Sequence, residues 1–175
     1  MILSLFRKKA SDSAVHEVYG AIVARSRQPV FYARWSVPDT VTGRFDMISV
    51  HLALLFRRLR DQPDETRQFS QAVFDLFFKD MDRSLREMGA GDLAVPKKIQ
   101  KMGGLFYGTL ASLDQALSSE DDTVAAEVLK RNIYGDVPGA DPLPLARYVR
   151  AQARRLAAQP IGDIMAGRLP EGDAE

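Results

Sequence analysis

Two apolar helical patterns separated by a short glycine turn dominate the middle of this chain, between Phe69 and Leu117. In each pattern the apolar residues recur three and four positions apart, which is the spacing of one face of an α-helix. Gly89-Ala90-Gly91 lies between them, and glycine is common just beyond a helix end. The stretch therefore predicts a helical hairpin that any fold of the chain must accommodate.

The remaining apolar patterns extend the helical prediction to most of the chain. The segment from Thr42 to Asp61 carries apolar residues on two nearly opposite faces, which indicates a central helix packed on both sides. Other helices are predicted to begin near Ser11–Ser13, Pro63, Ser118–Asp122 and Leu145. We therefore predict an all-α fold, a single-domain compact bundle of about six to seven helices.

The predicted boundaries divide the chain into three parts. Residues 1–10 are predicted to be a flexible apolar and basic tail, and residues 11–158 form the helical domain. Residues 159–175 are predicted to form a short helical turn and a loose acidic tail.

The segment from Pro29 to Pro38 is bounded by prolines and rich in aromatic residues. Because no second strong strand pattern exists, a sheet is not expected, and we interpret the segment as an extended connector. Its aromatic side chains would cover the core, and the alternative is an exposed aromatic patch for a partner. They are Phe31, Tyr32 and Trp35.

Composition argues against several kinds of active site. The chain of 175 residues has no cysteine, which excludes disulfides, thiolate metal sites and cysteine nucleophiles. Its two histidines, His16 and His51, are too far apart in sequence to form a recognisable ligand motif, and His51 falls at a core position. No phosphate-binding loop is present. We predict a protein that is not an enzyme and that uses no cofactor or metal.

The net charge is +1, so general electrostatic attraction to nucleic acid is not expected, and DNA is not a predicted partner. No apolar run reaches the roughly 20 residues that span a bilayer, and the first residues have the wrong order for a secretory signal. The apolar and basic first residues either touch a lipid surface or membrane partner peripherally or form a frayed terminus. The membrane-contact candidates are Leu3, Leu5, Phe6, Arg7, Lys8 and Lys9.

The helix predicted after Pro96 has lysines and glycines aligned opposite its core stripe. Each glycine in a helix costs roughly 1 kcal/mol relative to alanine, so another interaction should offset that cost. Either a helix of the same domain packs against the glycines, or they form a groove that receives a partner. The candidate binding residues are Lys97, Lys98, Lys101, Gly104, Tyr107 and Gly108.

Asp80 is a further candidate, on the preceding helix. Its carboxylate projects close to the apolar arc, where an unpaired charge would be costly. It should either pair with Arg83, one turn away, or face a partner at a groove.

Three arginines share one face of the helix predicted from Leu145 to Ala158. They are Arg147, Arg150 and Arg154, spaced at i, i+3 and i+7. This basic face is either solvated or binds an anionic partner, which could be a lipid headgroup, an RNA phosphate or an acidic protein.

The stretch from Phe74 to Tyr107, FDLFFKDMDRSLREMGAGDLAVPKKIQKMGGLFY, resembles the signature region of the ubiquinol–cytochrome c chaperone family. These proteins are cytochrome b assembly factors of the bc1 complex. The segment from Tyr32 to Leu59, YARWSVPDTVTGRFDMISVHLALLFRRL, is similar to the amino-terminal helical segment of the family. RNIYG, from Arg131 to Gly135, is similar to its closing part. The resemblance is spread over the chain from about Val15 to Leu156.

The resemblance implies a compact, helical, non-enzymatic bacterial-type member that binds newly made cytochrome b and supports biogenesis of the ubiquinol–cytochrome c reductase complex. It also implies a small partner subunit or the ribosome as candidate partners, and a cytoplasmic location with peripheral contact to the inner membrane. The alternative is a helical protein- or ribosome-binding module that uses its basic faces and has a client unrelated to bc1.

Overall fold

The computed structural model describes residues 2–135, 137–172 and 174, with side chains from residue 12 onward. The described chain is helical and contains no strand, which confirms the predicted all-α class. Its elements are α1 (Ile2–Ser26), α2 (Pro29–Ala33), α3 (Val41–Leu59), α4 (Asp64–Glu87), α5 (Val95–Leu117), α6 (Asp122–Leu129), a π-helical turn (Lys130–Tyr134), α7 (Leu143–Ala158) and α8 (Ile161–Met165).

Helix α3 lies at the centre of the bundle. Helices α1, α4, α5 and α7 and the π-helical turn all pack against it. Met47, Val50 and Leu52 are fully buried, so apolar side chains leave α3 in several directions into the core. The predicted central helix with two apolar faces is confirmed.

The α4–α5 hairpin joins this centre through aromatic rings. Phe77 of α4 stacks on Phe45 of α3 with ring centroids 5.3 Å apart, and it also contacts Phe106 of α5 at 5.9 Å. Gly89 follows α4 with φ +83°, a left-handed conformation that glycine adopts without strain. The predicted hairpin and its glycine stop are confirmed.

The interpretation of Pro29–Pro38 as an extended connector is wrong for its first half, because α2 occupies residues 29–33. Pro29 stands at the first helical position, where its fixed φ suits a helix and its missing N–H costs nothing. Phe31 is fully buried and Trp35 is half-buried, so aromatic residues of this segment do cover the core.

The predicted start of the first helix at Ser11–Ser13 is wrong, since the backbone of α1 is helical from Ile2. The helical pattern thus reaches back through the segment predicted to be a separate tail. The predicted membrane contacts lie among residues whose side chains are outside the described part of the chain. They are Leu3, Leu5, Phe6, Arg7, Lys8 and Lys9.

The predicted loose acidic end, PEGDAE from Pro170, is wrong for residues 170–172 and 174, because the chain after α8 is docked on the bundle over residues 166–172 and 174. We call residues 166–172 and 174 the C-terminal segment. Side chains of α1, of α7 and of the residues joining α1 to α2 bond its backbone groups. The bonds join Arg25 to Pro170 O at 2.7 Å, Gln152 to Gly172 O at 2.8 Å, and the Ala174 N–H to Gln28 Oε1 at 2.9 Å.

Candidate interaction surface

One face of α5 is open. It carries Lys97, Lys101, Gly104 and Gly108, all of which are exposed, and we call these four residues the α5 face. A Cβ built on Gly104 or Gly108 would meet no heavy atom within 4 Å. No described helix of the domain therefore fills the space over the glycines, which leaves the partner-groove alternative from the sequence.

Tyr107 borders the α5 face on one side. Its side chain is 58% exposed, although its ring rests against Phe74 at 5.8 Å and Phe106 at 5.6 Å. Its hydroxyl makes no hydrogen bond with a described residue. A rigidly supported aromatic ring with an open polar tip is a common anchor at protein interfaces.

A groove of about 490 Å³ borders the α5 face on its other side, between the start of α3, the end of α4 and the first half of α5. We call it the α4–α5 groove. Lys98 and Lys101 line it, and they are joined by apolar side chains that remain unusually exposed. The exposed apolar residues are Val41 at 52%, Met88 at 53% and Leu105 at 47%.

The sequence does not reveal this groove. The apolar spacing of α4 alone would place Met88 in the core, but α4 ends at Glu87 and the Met88 side chain is 53% exposed. One sequence signal points to the groove. Leu105 is an apolar residue that lies off the core stripe of α5, on the same helix face as Lys98 and Lys101.

Asp80 is not brought to the α5 face. The Tyr19 hydroxyl donates to Asp80 Oδ2 at 2.8 Å, and Arg83 pairs with the other carboxylate oxygen. Burial raises the pKa of Tyr19, and the Asp80 carboxylate raises it further. The structure therefore supports the internal ion pair and not a partner-facing carboxylate, and Asp80 fastens α4 to α1.

The proposed basic face of α7 is wrong for Arg150, whose side chain is 8% exposed. Arg150 donates to Asp122 Oδ1 at 2.6 Å, and to the backbone carbonyls of Ser119 at 2.6 Å and Asp121 at 3.0 Å. These bonds hold α7 to the start of α6. Arg147 and Arg154 stay exposed, and Arg154 pairs with Glu120 at 2.5 Å.

Two ionisable side chains of α3, His51 and Asp46, have pKa values far from their ordinary ones. Burial lowers the pKa of His51 to about 4, and His51 Nε2 lies 2.8 Å from the Tyr148 hydroxyl. The Met47 carbonyl, 2.7 Å from Nδ1, can only accept, so Nδ1 carries the proton and Tyr148 donates to Nε2. Burial raises the pKa of Asp46 to about 7. The two groups lie on different faces of α3 and do not form one site.

The described residues hold no cluster of three or more histidine, aspartate or glutamate side chains suited to a metal ion. In that same part of the chain, no helix has the combined length and hydropathy needed to cross a bilayer.

Comparison with known proteins gives consistent matches. The model of the ubiquinol-cytochrome C chaperone family matches residues 33–171. Ubiquinol-cytochrome-c reductase complex assembly factor 1 of Xenopus laevis is 24% identical over 146 residues, covering 82% of this chain and 72% of that protein. Protein CBP3, mitochondrial, of Saccharomyces cerevisiae is 27% identical over 124 residues, covering 69% of this chain and 36% of that protein.

A solved structure extends the similarity to the fold. The crystal structure of the Cbp3 homolog from Brucella abortus superposes with a TM-score of 0.89 at 38% identity, covering 99% of this chain and 98% of that one. By contrast, the chain spans about half the length of the mammalian assembly factors that it matches.

Proposed function

This chain belongs to the ubiquinol–cytochrome c chaperone family, and from that premise we propose that it is a non-enzymatic assembly chaperone that binds newly made cytochrome b. In this role it would hold the client during biogenesis of the ubiquinol–cytochrome c reductase complex. We propose that it works at the cytoplasmic face of the inner membrane.

The open α5 face is the observation that carries this proposal. Bare glycine backbone at Gly104 and Gly108 allows a partner helix to approach closely, and nothing within the described domain uses that space. Each glycine lowers the stability of α5 by roughly 1 kcal/mol relative to alanine, and contact with a partner would offset that cost.

The chemistry beside the glycines suits a segment of a membrane protein. Met88 and Leu105 in the α4–α5 groove, together with Tyr107, can take apolar side chains of the client. Lys98 and Lys101 can pair with acidic residues that flank an apolar segment. Because the contact area is partly polar, the client can be released when its partner subunits arrive.

A leucine at position 104 tests the surface directly. Gly104→Leu fills the open space over α5 and should reduce capture of cytochrome b by about 10-fold or more, with Lys101→Glu adding to the loss. Since no described atom beyond the neighbouring residues and backbone of α5 lies within 4 Å of the new Cβ, the domain should not unfold. Leucine is also the better helix former, so stability should rise.

Gly20→Leu is the matched control. Gly20 lies inside α1, is exposed, and a Cβ there would likewise meet nothing within 4 Å. This variant should gain helix stability and keep full capture. Equal loss of capture in both variants, or a loss at position 104 that tracks loss of stability, would contradict the proposed surface.

Photocrosslinking in living cells identifies the client. A photoreactive amino acid in place of Tyr107 should trap cytochrome b, and the same group in place of exposed His16 should not. Consistent capture of a protein from outside the ubiquinol–cytochrome c reductase complex would refute the client assignment.

A ribosome-binding role through basic faces has less support. Arg150 is buried and Arg154 is paired, so α7 offers less open positive charge than its sequence indicates. A steep salt dependence of ribosome binding, abolished by replacing Arg147 and Arg154, would favour this alternative.

A further inference from the structure

A second pocket, built from elements other than α4 and α5, combines arginines with the single tryptophan of the chain. It has a volume of about 500 Å³ and lies between the end of α2 and one side of α7. Arg34, Trp35, Arg147, Tyr148 and Arg155 line it. The α5 face and the α4–α5 groove share none of these residues.

Most of the positive charge of this pocket is not neutralised within the described part of the chain. Arg34 and Arg155 are exposed and make no hydrogen bond or ion pair with a described residue. Arg147 is 71% exposed and approaches Asp122 only to 3.8 Å.

Other arginines of the same helix behave differently. Arg150 and Arg154 both lie within 2.6 Å of a carboxylate oxygen, at Asp122 and Glu120. Among the described residues, Arg34 and Arg155 of the pocket therefore have no ion-pair partner, and Arg147 has only a long ion pair to Asp122. Three guanidinium groups around one concavity, in a chain of net charge +1, attract an anion.

The aromatic wall of the pocket is held in place from behind. Trp35 packs against Phe31 at 5.5 Å and Tyr148 at 5.9 Å, and the Tyr134 hydroxyl donates to the Trp35 carbonyl at 2.9 Å. Tyr148 is fixed by its hydrogen bond to His51. A wall that is already ordered loses little entropy when a ligand binds.

We propose that this pocket binds the phosphate group of a phosphorylated ligand. Guanidinium groups match phosphate oxygens in a planar, two-pronged geometry, which lysine cannot reproduce. Arg34, Arg147 and Arg155 supply the donors, and the ring of Trp35 covers the apolar part that carries the phosphate. Free phosphate esters and phospholipid headgroups share this chemistry.

Trp35 is the reporter for the test, since any tryptophan fluorescence of the chain comes from this pocket. The full chain is titrated with inorganic phosphate, with glycerol 3-phosphate, and with vesicles of phosphatidylglycerol or of phosphatidylcholine. A saturable change in Trp35 emission is expected with at least one anionic probe. The melting temperature should rise with the same probe, because a ligand that binds only the folded state stabilises it.

The variants separate the pocket from general electrostatics. Arg34→Gln and Arg155→Gln should each weaken binding by about 10-fold or more, because each removes charge-assisted hydrogen bonds. Arg154→Gln is the matched control: it removes the same charge from α7 one residue away, outside the pocket, and should leave affinity unchanged.

Each outcome is decisive. Saturation with glycerol 3-phosphate and no gain from vesicles supports a free phosphate ester, whereas saturation with phosphatidylglycerol vesicles alone supports a lipid headgroup. No saturable response to any anionic probe overturns the proposal, as does equal weakening by Arg154→Gln. Tighter binding of a single-stranded RNA oligonucleotide than of every phosphate probe also overturns it, because the surface would then serve a macromolecule.

Discussion

Replacing Asp46 with asparagine should stabilise the protein at neutral pH. Asp46 lies partly buried on α3, where no described residue offers it a hydrogen bond or an opposite charge. Burial alone raises the pKa of its carboxyl from 3.8 to about 7. Above pH 7 the folded protein must therefore keep an ionised carboxylate in a poorly hydrated position. An asparagine side chain would keep the shape and remove the charge.

The pH dependence follows from the two pKa values. The folded state binds the Asp46 proton more tightly than the unfolded state, so the stability linked to this group is fully present below pH 3.8 and is lost as pH rises to about 7. Converting the whole interval gives an upper bound of about 4 kcal/mol. Because water still reaches the partly exposed carboxylate, we expect about 1–2 kcal/mol.

Chemical denaturation of both proteins between pH 4.5 and 8 measures the effect. The gain in free energy of unfolding from Asp46→Asn should be small at pH 4.5, grow with pH, and level off above pH 7. Asp39→Asn is the control, since Asp39 is exposed and Arg44 holds the pKa of its carboxyl below the usual range. A gain from Asp46→Asn that does not vary with pH, or a loss at every pH, would contradict a carboxyl whose pKa burial has raised.

Three further predictions concern stability. Arg150→Gln should lower the free energy of unfolding by about 3 kcal/mol, because it breaks a buried ion pair and leaves backbone carbonyls unsatisfied. Arg154→Gln, at an exposed position, should lower it by less than about 0.5 kcal/mol. Similar losses for the two variants in urea denaturation would contradict the structure. Gly104→Ala should raise the free energy of unfolding by about 0.5–1 kcal/mol, and a loss in the same assay would mean that another element occupies the space over α5. The loss in free energy of unfolding caused by His51→Gln should be largest above pH 6.5 and shrink as pH falls towards 4. In that interval the unfolded wild type gains a proton on His51 that the folded state resists. A loss that stays constant across this interval in the same denaturation series would contradict a buried neutral His51.

The helical architecture could be predicted because its signals are local. The two-sided pattern of α3 and the glycine after α4 each depend on residues within a few turns of one another. The prediction that the glycines of α5 need an explanation also depends on one helix alone; the space over Gly104 and Gly108 is open, and the partner groove stays a prediction.

The burial of Arg150 and the exposure of Met88 could not be predicted from the sequence, because they depend on which elements pack together. The spacing of Arg150 matches its neighbours on the α7 face, and only the arrival of Asp121 and Asp122 at the start of α6 buries it. Likewise, Met88 has an apolar side chain at a core spacing, but it falls past the last packed turn of α4. Periodicity assigns a side chain to a helix face and does not say whether another element covers that face.

The path of the docked C-terminal segment depends little on the identity of most of its residues. Its bonds to Arg25, Gln28 and Gln152 use only backbone groups, which are the same for every residue type that keeps its N–H. Gly167 and Gly172 are exceptions, since a Cβ there would collide with neighbouring side chains, and so are Leu169 and Ala174, whose side chains pack against the core. Most other residues of this segment could therefore be substituted during evolution while the segment stays docked. In such a region, low sequence identity between relatives would be a poor measure of structural constraint.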